Sequence, residues 1–267
     1  MPTISRWICT STDSFSLETV KQELKKLEEE KFRTRQGERN PELVLRYTVK
    51  LHDEVIRQDL KYLSGTLYFE HEQKSMKYEI TDDGVKDNPE DIKVTYGVLF
   101  WISNKNLFLF SKSEKSSEEI RPARELLSNI LFNKLDGING VSFDVNSIED
   151  NTLSTQQDAF WTFGFHNRKG KITSATYWGD NISQDALYLN TGDKQSAKRK
   201  SVGIKVKYSE NFLKTRVTKE GTILMYPGFN DTLDIGTIFD VVERFIPYHV
   251  TKKPRVVQAV NTLDTNE

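Results

Sequence analysis

The chain has 267 residues, of which 36% are hydrophobic and 29% charged, a composition that excludes the disordered class and allows a substantial core. Its only cysteine, Cys9, excludes an intramolecular disulfide and favours a reducing, cytoplasmic location. The first 15 residues lack the basic start and apolar run of a signal peptide, and no stretch approaches the ~18 apolar residues of a membrane span, so we expect no membrane association.

Charge is distributed unevenly along the chain, although the net charge is only −1. Residues 1–150 contain 22 Lys and Arg against 27 Asp and Glu, a balance of −5, whereas residues 151–267 contain 16 against 12, a balance of +4. Residues 160–220 are the most basic, with 12 cations and 5 carboxylates, a balance of +7. A basic second half favours contact with a polyanion.

The first half reads as a helix, a group of strands and a second helix. Apolar residues recur every three or four positions from Leu17 to Leu27, which predicts an amphipathic helix over residues 16–35 with Ser16 as its N-cap. Residues 43–52 alternate between apolar and mostly polar, which predicts a strand. Further strands are predicted at 66–72, 75–81, 92–103 and 106–112, with turns at 82–84 and 87–89. Short connections indicate an antiparallel meander, and the apolar spacing from Ile120 to Leu131 predicts a helix behind it.

The second half follows a related plan. Strands are predicted at 160–167, 171–179, 202–208, 212–218 and 222–226, followed by a helix that begins near Thr232 and ends at Pro247. The predicted fold class is therefore α+β, with mainly antiparallel sheets, an N-terminal amphipathic helix and one helix after each half. We expect an N-terminal module at 1–135, a basic C-terminal module at 136–250, and a flexible tail at 251–267. Residues 97–132 and 213–246 share a hairpin, a polar linker and a helix, which leaves an internal duplication open.

Most templates for a catalytic site are absent from the sequence. It has no GxxxxGK[ST] or GxGxxG loop, and its four histidines are isolated from one another, so we predict neither a cofactor nor a metal site. Glu72 and Lys74 have the ExK spacing of the restriction-like nuclease fold, which they resemble, with Asp53 or Asp59 as a second carboxylate. That resemblance implies an Mg²⁺ ion held by the carboxylates and a water activated by the lysine. This nuclease is an alternative to the preferred interpretation, a protein without enzymatic activity.

The preferred interpretation is a cytosolic protein that contacts nucleic acid through its basic half. Lysines two residues apart on a strand point to the same face and can neutralise successive phosphates. The predicted binding residues are Arg168, Lys169, Lys171, Lys194, Lys198, Arg199, Lys200, Lys205 and Lys207. Nearby Trp161, Tyr177 and Trp178 are candidates for stacking on unpaired bases. The alternation of Trp161, Phe163 and Phe165 instead favours the inward face of a strand.

Another alternative is a protein–protein adaptor or complex subunit without chemistry of its own. An acidic half that includes the Glu28–Glu30 run and a basic half could face different partners, or allow copies of the chain to associate head to tail. The partners expected from the sequence are therefore DNA or RNA, another protein subunit, or a second copy.

Overall fold

The structure is a computed structural model. It describes residues 3–9, 16–57, 59–81, 84–112, 116–133, 135, 137–155, 160–166, 174–180, 182, 198–208, 211–227 and 234–251. No helix within these ranges combines the length and the apolar character needed to cross a membrane.

The described residues form fourteen strands and four α-helices. The strands are β1 (Thr3–Cys9), β2 (Arg33–Gln36), β3 (Val44–Leu51), β4 (Val55–Arg57), β5 (Leu60–Thr81), β6 (Gly84–Ile102), β7 (Leu107–Ser111), β8 (Ile138–Phe143), β9 (Phe160–His166), β10 (Ser174–Trp178), β11 (Lys198–Tyr208), β12 (Asn211–Thr218), β13 (Thr222–Tyr226) and β14 (His249–Thr251). The helices are α1 (Leu17–Glu29), α2 (Ser116–Phe132), α3 (Val145–Thr155) and α4 (Ile235–Phe245), and a 3₁₀ turn follows at Ile246–Tyr248. This confirms the predicted mixed α+β class with mostly antiparallel sheets.

The strands form one sheet in which every described pairing is antiparallel. Its order is β10-β9-β11-β12-β13-β1-β7-β6-β5-β3-β2, with β4, β8 and β14 paired outside this path. Strand β1 lies at the centre, where Ile4 is paired with Phe110 of β7 on one side and with Ile223 of β13 on the other. Backbone hydrogen bonds therefore join strands from both halves of the chain.

The helices cover opposite faces of the sheet in the two halves. Helices α1 and α2 pack on a first face, which bears Leu109 of β7. Helix α4 packs on the second face, where its Phe239 contacts Phe108 of the same strand at 5.9 Å between ring centroids. Neighbouring residues of a strand point to opposite faces, so one layer of helices lies on each side. Helix α3 also packs on the second face, against β11.

The described residues of the two halves share an order of elements. A strand, a helix, a group of antiparallel strands and a second helix occur from β1 to α2 and again from β8 to α4. Strands β7 and β13, each of which precedes the last helix of its half, are both antiparallel to β1 and lie on its two sides. The pattern shared by 97–132 and 213–246 thus corresponds in both halves to two antiparallel strands followed by a helix. The module boundary at residue 135 stays a prediction.

Several predicted boundaries differ from the structure. The first helix ends at Glu29 rather than near Arg35, because Lys31 adopts φ +67°, which is incompatible with a continuing helix, and residues 33–36 form β2 instead. The interruptions predicted at 73–74 and 87–89 are absent, since β5 and β6 pair without a break from Leu63↔Ile102 to Thr81↔Gly84. Pro89 is tolerated because this far part of β6 is an edge of the sheet.

The segment 133–158, expected to be a linker, contains β8 and α3. Asp144 begins the helix, because its carboxylate accepts hydrogen bonds from the backbone N–H groups of Asn146 and Ser147. The tail predicted at 251–267 lies outside the described residues except for Thr251, which belongs to β14.

Candidate nucleic-acid interface

The predicted basic residues have different positions in the structure. Arg168, Lys169, Lys171 and Lys194 lie outside the described residues. Lys198 is the first residue of β11, but its side chain is not among those that the structure describes. Lys200 and Lys207 are exposed on β11, and Lys205 is half-buried on the same strand.

Arg199 does not belong to an exposed basic surface. Its guanidinium is buried with the carboxylate of Glu149, at 2.5 Å from Nε to Oε2 and 2.8 Å from the second nitrogen to Oε1. It also lies over the rings of Phe165 and Phe163, at 4.3 and 5.4 Å from their centroids. The reason is a shift in register between β11 and β9 at Arg199 and Ser201, which turns Arg199 toward the core.

A second register shift changes the position of Trp161. Gly203 is paired with Thr162 and Ile204 with Phe160, so Trp161 is an extra residue in β9. Phe163 and Phe165 point into the core, as their alternation predicts, whereas Trp161 lies on the other face. A Cβ built on Gly203 would lie 2.9 Å from the Trp161 ring. Glycine at this position therefore leaves the space that the indole occupies.

Together these features produce a patch of aromatic and basic side chains on the first face of the sheet, in the half that α1 and α2 do not cover. We call this patch the aromatic–basic surface. It consists of Trp161, Trp178, Lys205, Lys207, Phe212, Lys214, Arg216 and Tyr226. Directly paired residues share a face, and the pairs Lys205↔Lys214, Lys207↔Phe212 and Lys214↔Tyr226 establish this arrangement.

The aromatic residues form a cluster with one exposed member. Trp161 is only 6% exposed, and its Nε1–H donates to the carbonyl oxygen of Thr215 at 2.9 Å. Its ring centroid lies 5.3 Å from that of Trp178 and 5.0 Å from that of Tyr226. Trp178 packs against Trp161 and is 58% exposed. Phe212, further along the surface, is also 58% exposed. Rigidly supported, exposed rings of this kind can stack on planar groups in solution.

Cationic groups lie beside and above these rings. The Lys214 Nζ is 5.6 Å from the centroid of Trp161, and the Arg216 guanidinium carbon is 5.4 Å from that of Trp178. Arg216 Nε also donates to Ser201 Oγ at 3.0 Å, which fixes the orientation of its side chain. Lys205 Nζ donates to Asp180 Oδ1 at 2.7 Å, and this hydrogen bond lowers the pKa of the Asp180 carboxyl, aided by the charges of Lys205 and Lys214. Among the described residues, this surface has four cations and one carboxylate, a positive balance.

Lys214, Arg216, Phe212 and Tyr226 were not among the residues predicted from the sequence. The signal for the first three was present, because Phe212, Lys214 and Arg216 alternate with the buried Leu213, Thr215 and Val217. Tyr177, predicted to stack on bases, packs instead against Phe165 on the second face.

The predicted nuclease residues are separated in the structure. Asp59 and Glu72 are 13 residues apart, with Asp59 just before β5 and Glu72 within it, a distance of roughly 40 Å at ~3.3 Å per residue. Carboxylates that share one Mg²⁺ must both lie within ~2–3 Å of it. Glu72 is not at the end of a strand but in the middle of β5, where its oxygens accept hydrogen bonds from the backbone N–H groups of Arg39 and Asn40. In the described part of the chain, no three His, Cys, Asp or Glu residues are grouped so that they could hold a metal.

Comparison with known proteins found no protein-family model that matches the chain, and a search of curated proteins found no match either.

Proposed function

We propose that this protein binds single-stranded nucleic acid through the aromatic–basic surface. The observation that carries the proposal is the exposed Trp178, which packs against the buried Trp161 and has Arg216 over its ring, while Lys214 lies over the ring of Trp161. Stacking on aromatic rings beside a cationic path is the usual way in which proteins bind unpaired bases without reading their sequence.

A single strand fits this surface better than a duplex. The rings lie on the face of a sheet, whereas reading a duplex requires an element that enters a groove. Trp178 and Phe212 are separated by three strand spacings of ~4.8 Å and by about four residues along the strand, or roughly 20 Å. Lys205 of β11 is paired with Lys214 of β12, and along the strand direction this pair lies between the two rings, where it can contact the phosphates that connect two stacked bases.

The proposal is tested by fluorescence anisotropy with a dye-labelled single-stranded oligonucleotide, titrated at several salt concentrations. Replacing two cations, Lys207→Gln with Lys214→Gln, should weaken binding and lower the slope of log K against log salt by about 1.4, since each phosphate contact on a single strand contributes ~0.7. A matched control is Lys77→Gln with Lys86→Gln, which removes the same charge from exposed positions on β5 and β6.

Two further comparisons complete the test. Trp178→Ala should lower affinity about 5- to 150-fold, because stacking of one base on an aromatic side chain is worth ~1–3 kcal/mol. A duplex of the same sequence should bind more weakly than the single strand. Equal effects of the surface and control lysine pairs, or no effect of Trp178→Ala, would contradict the proposal.

A further inference from the structure

A cleft of about 660 Å³ lies in the other half of the molecule, away from the aromatic–basic surface. Its walls come from the end of β2 and the loop after it, the middle of β5, Tyr96 of β6 and one side of α2 from Glu118 to Asn129. This volume is typical of sites for small organic ligands, which occupy roughly 300–1,000 Å³.

The loop on one side of the cleft is shaped by Glu72. This side chain is 4% exposed, and its carboxylate accepts the Arg39 N–H at 2.5 Å and the Asn40 N–H at 3.2 Å. A Cβ on Gly37 would lie 2.5 Å from Glu72 Oε2, so the close approach of the loop requires glycine there. The two hydrogen bonds hold the loop against Glu72, and the same loop places Arg39 at the cleft.

Three cations line this side of the cleft: Arg35, Arg39 and Lys74. Arg35 has one nearby carboxylate, Glu38, at 3.7 Å from guanidinium to carboxylate, and that glutamate is largely exposed. On the opposite wall Arg121 and Glu125 of α2 form their own ion pair at 3.0 Å. On the side formed by β2, the loop and β5, the three cations therefore exceed the two carboxylates Glu38 and Glu72, whereas α2 on the opposite side carries Glu118 and Glu125. The positive excess on the first side is suited to an anionic group.

Two buried polar atoms on the cleft's walls have no hydrogen-bond partner among the described residues, Arg35 Nε and His71 Nδ1. Buried polar groups are nearly always hydrogen-bonded, and here two of them, both on residues that line one cleft, lack a partner among the described residues. The centroids of the His71 and Tyr96 rings lie 6.2 Å apart and the rings are inclined by 38°, so the same cleft has two aromatic rings on its wall. Burial, together with the charge of Arg35, lowers the pKa of His71 below its usual value of 6.5.

We infer that this cleft binds a phosphorylated small molecule with a planar ring, the chemistry of a mononucleotide. Arg35, Arg39 and Lys74 contact the phosphates, and the ring lies against Tyr96 and His71. The site is independent of the proposed single-strand binding, because it uses different residues in the opposite half of the sheet.

Isothermal titration calorimetry of the full chain with ATP, AMP and inorganic pyrophosphate tests the inference. We expect ATP to bind, and Arg39→Gln with Lys74→Gln to lower its affinity at least tenfold, because a hydrogen bond to a charged group is worth ~1.5–3 kcal/mol. Arg39→Gln keeps the backbone N–H that Glu72 accepts, so the loop should be retained. The charge-matched control is again Lys77→Gln with Lys86→Gln, which should leave ATP affinity unchanged.

The contribution of the ring is tested separately. Tyr96→Leu should weaken AMP and ATP but not pyrophosphate, while Tyr96→Phe should preserve all three. Addition of ATP should also shift the NMR signals of the His71 ring, a readout that does not depend on any variant folding. Absence of ATP binding at millimolar concentration, or equal loss in the control pair, would overturn the inference. Equal effects of Tyr96→Leu on pyrophosphate and AMP would overturn the ring assignment.

Discussion

At the scale of single residues, Arg199 shows how a charged side chain can contribute to stability rather than to binding. The Arg199–Glu149 pair joins β11 to α3, and both side chains are only 5% exposed. Glu149→Gln should lower the free energy of unfolding by about 3–5 kcal/mol, because it leaves a buried guanidinium without its counter-charge. Urea unfolding measures this loss, and the double variant Arg199→Met with Glu149→Leu should recover much of it.

The same variants separate the structural role of Arg199 from the binding role predicted from the sequence. Arg199→Met should destabilise the protein yet leave the affinity for a single-stranded oligonucleotide unchanged at temperatures where the protein is folded. A loss of affinity comparable to that of Lys207→Gln with Lys214→Gln would show that Arg199 does contact nucleic acid.

Residue positions were predictable where strict alternation holds and unpredictable at the two register shifts. Lys205 and Lys207 project on one face as the two-residue period requires. Trp161 is the extra residue of β9, and Arg199 lies next to the extra residue of β11. A single added residue reverses which face of the sheet the following side chains occupy. The available signal is a glycine beside each shift, Gly164 and Gly203, because an isolated glycine within a strand often marks a bulge.

At the scale of elements, β5 and β6 extend far beyond the rest of the sheet. Strand β3 pairs with β5 only as far as Phe69, and β7 pairs with β6 only from Leu99. Within residues 75–81, 84–87 and 90, no described side chain is buried, and Tyr78, Ile80 and Val85 are exposed. The far end of this hairpin therefore adds little to the stability of the folded chain.

Replacing residues 76–89 by Asn-Gly, which joins the paired Ser75 and Glu90 through a two-residue turn, tests that conclusion. The free energy of unfolding should change by less than about 1 kcal/mol, since exposed surface positions contribute little. Phe69→Ala in the supported part of the same hairpin is the control, and it should cost ~3–5 kcal/mol because this ring is 1% exposed. A large loss on shortening the hairpin would mean that its far end makes contacts essential to the fold.

Element type was predictable where the periodicity is strong. The spacing of Val20, Leu24 and Leu27, and that of Ile120, Ala123 and Leu127, matches the buried sides of α1 and α2. The sequence did not predict β8 and α3 within segment 133–158, because the apolar residues there are few and are interrupted by Gly, Asn and Asp. The spacing of Asp144 and Ser147 is a local N-cap signal that would have located α3.

At the scale of the whole molecule, α4 connects the two halves. Its Phe239 lies 5.3 Å from Tyr62, 5.5 Å from Trp101 and 5.9 Å from Phe108, measured between ring centroids, and these three partners belong to β5, β6 and β7. A helix from the second half therefore covers aromatic residues of the first. Contacts so distant in sequence cannot be read from local periodicity, which is why the sequence favours two modules.

The connection predicts that the chain unfolds as one unit and that the first half does not fold alone. Phe239→Ala should lower the free energy of unfolding by about 3–5 kcal/mol, because it removes a buried ring from this aromatic cluster. Thermal unfolding of the full chain should show a single transition by circular dichroism and by tryptophan fluorescence. A fragment of residues 1–135 should expose Tyr62, Trp101 and Phe108, and it should aggregate or bind a hydrophobic dye. A soluble fragment with a cooperative transition of its own would instead support the predicted boundary at residue 135, and would show that the β1–β13 pairing and α4 are dispensable for the first half.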